Sequence, residues 1–214
     1  MMNKDLIKLP KMYRIRQRFA DSKVKDIRET VRAELGGLRW SAIQPGQRVA
    51  ITAGSRGIAD IAEILGAIVE FVKSLKADPF LFPAMGSHGG ATAEGQVAML
   101  EQLGVTEASV KAPIISSMET EEIGLTQDSV PVSVDKNALT ADHIVVVNRI
   151  KSHTKFKAPI ESGLMKMMAI GMGKQKGAEL YHKAAVQYTF FKIITEHHRQ
   201  KSRSVKSFSP PGTG

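Results

Sequence analysis

The chain has 214 residues, 43% of them hydrophobic and 24% charged, an ordinary balance for a globular domain with a sizeable core. It contains no Cys, which excludes disulfides, a thiolate nucleophile and a Cys-based metal site, and fits a reducing, cytoplasmic setting. The net charge is +9, of which Arg199, Lys201, Arg203 and Lys206 supply +4; with one Trp and three Tyr for base stacking, the basic balance points to an anionic small molecule and away from nucleic acid.

No stretch supplies the roughly 18 apolar residues of a membrane helix. The longest, Ile58 to Leu75, is broken by Asp60, Glu63, Glu70 and Lys73. The N-terminal MMNKDLIKLPK lacks the apolar core of a signal peptide. Residues 12–19 (MYRIRQRF) alternate apolar and basic side chains and predict an edge strand. A helix capped by Asp21 or Ser22 is expected to run to about Leu35 and to stop at Gly36-Gly37. Arg48 to Ala53 (RVAITA) reads as a buried strand, followed by the loop GSRG at 54–57. Ile58, Ile61, Ile64, Leu65, Ile68, Phe71 and Val72 then fall at helical spacing, predicting a helix to about Lys76.

A second such unit follows, with a strand at Pro79 to Met85 (PFLFPAM), the loop GSHGGA, Thr92 as helix cap and a helix from Ala93 to Leu103. Residues 106–140 are less regular, with a short strand at Val130 to Val134. His143 to Val147 (HIVVV) has the β-branched run of a strand covered on both faces. Helix is expected again from about Gly177 to Glu196, and the polar, basic 199–214 predicts disorder. The alternation predicts an α/β fold, Rossmann-like, with a mostly parallel sheet, helices on both faces and a following helical segment. Ligands of such sheets bind beyond the carboxyl ends of the strands. The loops GSRG, GSHGGAT and NRIKSH all sit there.

Each loop holds groups suited to an anion or to proton transfer. In GSHGGAT (86–92) the glycines allow close backbone approach, the helix start suits a phosphate or carboxylate, and His88 titrates near neutrality. Arg56 of GSRG sits where a guanidinium grips an anion. His153 follows Asn148, Arg149, Lys151 and Ser152; the cations around it (Arg149, Lys151, Lys155, Lys157) disfavour its charged form and make it a neutral base. Lys166 lies among Leu164, Met165, Met167 and Met168, where an amine loses its charge more easily and becomes a nucleophile. His182, sixteen residues on, is a candidate nitrogen ligand for a metal. Taken singly, each motif is as compatible with a Gly-rich turn, a solvated Arg, a basic surface loop or a snorkelling Lys. Their shared end of the sheet is what joins them. His143 opens a strand and reads as structural.

In this order the motifs resemble the N-terminal domain of lactate racemase and its nickel-pincer homologues, over roughly residues 12–196. The resemblance implies a racemase or epimerase of a small 2-hydroxy acid. It implies a nickel-pincer nucleotide, a pyridinium-3-thioamide-5-thiocarboxylic acid mononucleotide carrying Ni, and the enzymes that make this cofactor as partners. Carried over by position, His88 and His153 are the acid and base, and Arg56 binds substrate. Lys166 is the covalent attachment point, and His182 completes the nickel coordination. Ser87, Gly89, Gly90 and Thr92, with Ser162 and Gly163 just before the lysine, are cofactor contacts. Two features depart from the family pattern. Ala53 stands where the family has Asp, and about three extra residues lie between His153 and Lys166. The expected organisation is a cofactor-binding domain at 1–196 and a basic tail at 197–214. The second domain of the family is expected to be absent, leaving this polypeptide alone weakly active or inactive. The competing expectation is a non-catalytic α/β module that binds a phosphate or nucleotide.

Overall fold

Along β1 (Arg48–Ala53), Val49, Ile51 and Ala53 point into one apolar cluster and Ala50 into another, so period-two alternation commits both faces of the strand to a core. The computed structural model of the chain describes residues 11–18, 23–38, 40–55, 57–152, 157–204 and 207–208. Before β1 comes α1 (Ile27–Gly36); after it come α2 (Ile61–Ser74), β2 (Asp78–Pro83), α3 (Ala93–Gln102) and the single turn α4 (Glu107–Val110). Then follow β3 (Thr120–Leu125), β4 (Pro131–Asp135), α5 (Lys136–Leu139) and β5 (His143–Val145). The chain continues through α6 (Leu164–Lys166), a π-helical turn at Met167–Gly171, α7 (Lys174–Gln187), α8 (Phe190–Ser204) and β6 (Ser207–Phe208).

The main sheet is parallel, in the order β2-β1-β5, with the two residues of β6 outside β5. Helices α1 and α2 cover one face through Val31, Leu35, Leu65, Ile68, Val69 and Val72, against Ile51, Leu81 and Val145. Phe80, Phe82 and Ile144 meet Val134, Met167, Met168 and Met172 on the other. This is the predicted α/β architecture with helices on both faces and a helical C-terminal segment. Strands β3 and β4 form a separate antiparallel pair, with an irregularity between Glu122 and Leu125. Among the described residues no helix is long and apolar enough to cross a membrane.

Four local expectations are corrected. Residues 11–18 form no strand; Met12, Tyr13 and Ile15 are exposed, and alternation without a partner strand makes no ladder. Helix α1 starts later than expected, with Asp26 as its cap, accepting from the Glu29 amide at 2.8 Å. The C-terminal helical stretch is two helices, broken at Tyr188, whose extended backbone ends α7. The basic stretch expected to be disordered is helical through Ser204, because α8 buries one stripe: Ile193, Ile194, His197 and Lys201 are at most 3% exposed.

His197 donates from Nδ1 to the Ile193 carbonyl at 3.0 Å; burial, and then the Lys201 charge, pushes the imidazole down to about 4. Lys201 is itself fully buried, donates to the Met168 carbonyl at 2.5 Å, and is pulled down by burial to about 7. Below its ordinary value of 6.5 the unfolded chain protonates His197 while the folded chain resists until about 4. Stability from this residue is therefore complete above pH 6.5 and is lost as the pH falls toward 4, by roughly 3 kcal/mol at most. Urea unfolding between pH 7 and 4 is expected to show this loss, and His197→Gln to flatten it.

Candidate functional site

Parallel pairing of β2, β1 and β5 delivers three loops to one end of the sheet. The register Ala53↔Pro83 sets Gly54-Ser55 beside the start of the Met85–Thr92 loop. On the other side, β1 and β5 separate after Ile51↔Val145. Beyond that point the buried Thr52 hydroxyl takes over from the ladder, accepting from the Val147 amide at 2.8 Å. Ala53 is fully buried in the core, so the residue that departs from the family pattern is a packing residue here.

The fourth wall is the segment 162–182. Gly86 donates from its amide to the Gly171 carbonyl at 3.2 Å. A Cβ on Gly171 would collide with the Ala84 carbonyl oxygen and the Met167 sulfur, so glycine is what lets the π turn lie against the end of β2. That turn follows Lys166 directly, and π turns inside helices recur at functional sites.

Between these four pieces lies a cavity of about 310 Å³. Its lining brings together His88 from the second loop, Lys166 before the π turn, and His182 from α7, with Ser87 and Ser162. Ala178 and His182, one turn apart, are both on the cavity side of α7. Arg149 and Lys151 of the third loop join them, and no Asp or Glu is among the described lining residues. A cavity with Arg149, Lys151 and Lys166 and no acid is built for an anion.

Thr92, Gly89, Gly90, Gly163 and His143 lie outside the lining, and with the lining residue Ser162 they shape its surroundings. Thr92 caps α3, accepting from the Gly95 amide at 3.0 Å. Gly89 and Gly90 have φ of 65° and 66°, and a Cβ on Gly89 would sit 2.5 Å from the Gly95 carbonyl carbon. Gly163, with φ 84°, accepts from the Asn148 amide side chain at 2.9 Å. Ser162 Oγ accepts from the Lys151 amide at 2.6 Å and donates to the Lys151 carbonyl, fastening the third loop to the lysine segment. His143 is buried at the start of β5, 2.9 Å from Gln47 Oε1. Arg56 and His153 lie outside the described residues.

Ser55 is a functional candidate that pattern reading misses. Its Oγ is 2.6 Å from His88 Nδ1. A hydroxyl held there restrains the orientation of the ring at Nδ1. A serine in a short Gly-rich loop carries no local signature of this; only the pairing of β1 with β2 reveals the partner.

Fold and cavity together define an α/β domain with a cationic cleft beyond the carboxyl ends of its parallel strands. The chain belongs to the lactate racemase N-terminal domain family, which matches residues 20–189. Comparison with curated proteins finds no match.

Replacing Ser55 by Ala is expected to leave the fold intact and to remove the Oγ contact at His88 Nδ1. Side-chain 15N spectra of histidine-labelled protein would show the His88 signals shifting. An unchanged His88 signal would contradict the pairing.

Proposed function

We propose that this chain is the cofactor-carrying part of a racemase or epimerase of a small 2-hydroxy acid that works with a nickel-pincer nucleotide. The observation that carries the reading is the meeting of His88, Lys166 and His182 in one cavity, from segments far apart in a chain of the lactate racemase N-terminal domain family.

The residues present fit such a group. Lys166 offers the amine for covalent attachment, and His182 an imidazole for the metal. Among the described residues no three His, Cys, Asp or Glu cluster to hold a metal ion. Arg149 and Lys151 suit the nucleotide phosphate and the substrate carboxylate. When bound, the group supplies a ring that accepts and returns a hydride at the substrate Cα.

The chain's own residues manage the hydroxyl proton. His88, its ring steadied at Nδ1 by Ser55, takes it when the substrate lies on its side of the cleft. Either enantiomer has to lose that proton, so a second base is required on the opposite face, a role the proposal gives to His153. Arg56 is assigned to the substrate carboxylate. Proton transfer of this kind is worth roughly two to four orders of magnitude in rate.

The test is co-expression with the cofactor-making enzymes, followed by intact-mass and metal analysis. The expected outcome is a covalent adduct on Lys166 with stoichiometric nickel. Lys166→Arg is expected to abolish the adduct, and His182→Ala to lose nickel while keeping it. An unmodified mass, or an adduct that survives Lys166→Arg, overturns the reading. Reversible nucleotide binding without an adduct would instead support a phosphate-binding module.

A further inference from the structure

We infer that Lys174 is a positioning residue for His88, acting through Gln96 on the backbone of the His88 loop; the inference rests on the reading of His88 as a proton-transfer group. Lys174 is fully buried at the start of α7. Its ammonium lies 3.0 Å from Asp135 Oδ2, donates to the Pro83 carbonyl at 2.5 Å and to Gln96 Oε1 at 2.9 Å. One ion pair and two hydrogen bonds hold it, and they come from the end of β4, the end of β2 and α3.

Gln96 is also fully buried, and it passes the constraint on. Its Nε2 donates to the Gly86 carbonyl at 2.9 Å and to the His88 carbonyl at 3.3 Å. Those two carbonyls bracket Ser87, at the bend where β2 turns into the cavity. Asp135 is itself held: Oδ1 accepts from the Asn137 and Ala138 amides at 2.7 and 3.3 Å, and its own amide donates to the Met172 carbonyl at 2.7 Å. The path from Asp135 through Lys174 and Gln96 to the His88 loop is thus continuous and buried.

Two features favour positioning over simple support of the core. Lys174 holds a left-handed φ of 53°, a conformation that persists in a residue with a side chain only where its surroundings over-determine it, and such sites cluster near function. A buried ion pair is also a poor means of stabilisation, since apolar residues of similar volume often serve as well or better. Burial lowers the lysine and raises the aspartate, while each group's attraction for the other opposes this. What the pair supplies is direction: one ammonium aimed at one amide, which is aimed at two loop carbonyls.

The experiment uses the full chain without cofactor. Gln96→Met removes the donor to the loop and leaves the Lys174–Asp135 pair; Gln96→Glu keeps a partner for Lys174 but not the amide donor; Lys174→Met removes the source. Side-chain 15N spectra report on His88, with His143 at the far end of β5 as the internal control. The expected result is that the His88 signals shift in both Gln96 variants and in Lys174→Met, while His143 does not move. In the loaded enzyme, kcat is expected to fall by about 10- to 100-fold with KM little changed, the cost of a displaced catalytic group. His88 signals identical to wild type in the folded variants would overturn the inference. So would loss of the folded far-UV CD spectrum in both Gln96 variants, because the network would then be holding the fold and not the loop. These readouts need no adduct on Lys166, so their failure is separable from failure of the proposed chemistry.

Discussion

The close seam between the end of β2 and the π turn after Lys166 is the contact on which the rest of the site depends. The Gly86 amide reaches the Gly171 carbonyl, and Gly171 lies so near the Ala84 carbonyl that no side chain fits. One layer deeper, Lys174 joins the Pro83 carbonyl to Asp135. The seam adds to the packing of Met167, Met168 and Met172 on the sheet and to the bonds of Ser162 and Gly163 with the third loop. With it, a loop that leaves β2 and a helix nearly a hundred residues further on face the same small volume.

The chemistry of that volume follows from what surrounds it. Lysine and arginine side chains line it with no carboxylate among the described lining residues, which favours an anion by charge. The imidazole at position 88 is gripped on its ring by Ser55 and on its backbone by Gln96. On the proposed reading of His88 as a base, both restraints matter, because small errors in placement cost large factors in rate. The clustered histidines and lysine thus sit on a rigid frame of strand ends and helix starts.

Much of this was legible in the sequence, where the signal was local. RVAITA and PFLFPAM were readable as strands, α2 by its apolar stripe, and α3 by the Thr92 cap, because period and capping act within a few residues. The loops at one sheet end followed from parallel connection. What stayed hidden depends on distant partners. Residues 11–18 alternate like a strand yet pair with no strand among the described residues. Thr52 ends the β1–β5 ladder early through its hydroxyl, which shortens the run HIVVV to a three-residue strand. Lys174 and Asp135 are 39 positions apart with no pattern linking them, and Lys174 reads as one more surface cation. His197 and Lys201 looked like the start of a polar tail until the apolar stripe of α8 was seen to bury both. For Arg56 and His153, outside the described residues, the family pattern alone supplies the assignment.

The central claim is spatial, that the amine at 166 and the imidazoles at 88 and 182 share one cavity, and the lack of native Cys allows a direct test. A Lys166→Cys chain would carry a single thiol for a nitroxide label. The account predicts that the label strongly broadens the side-chain signals of both His88 and His182 and leaves His143, at the opposite end of β5, sharp. A labelled protein in which either His88 or His182 keeps its full signal would contradict it.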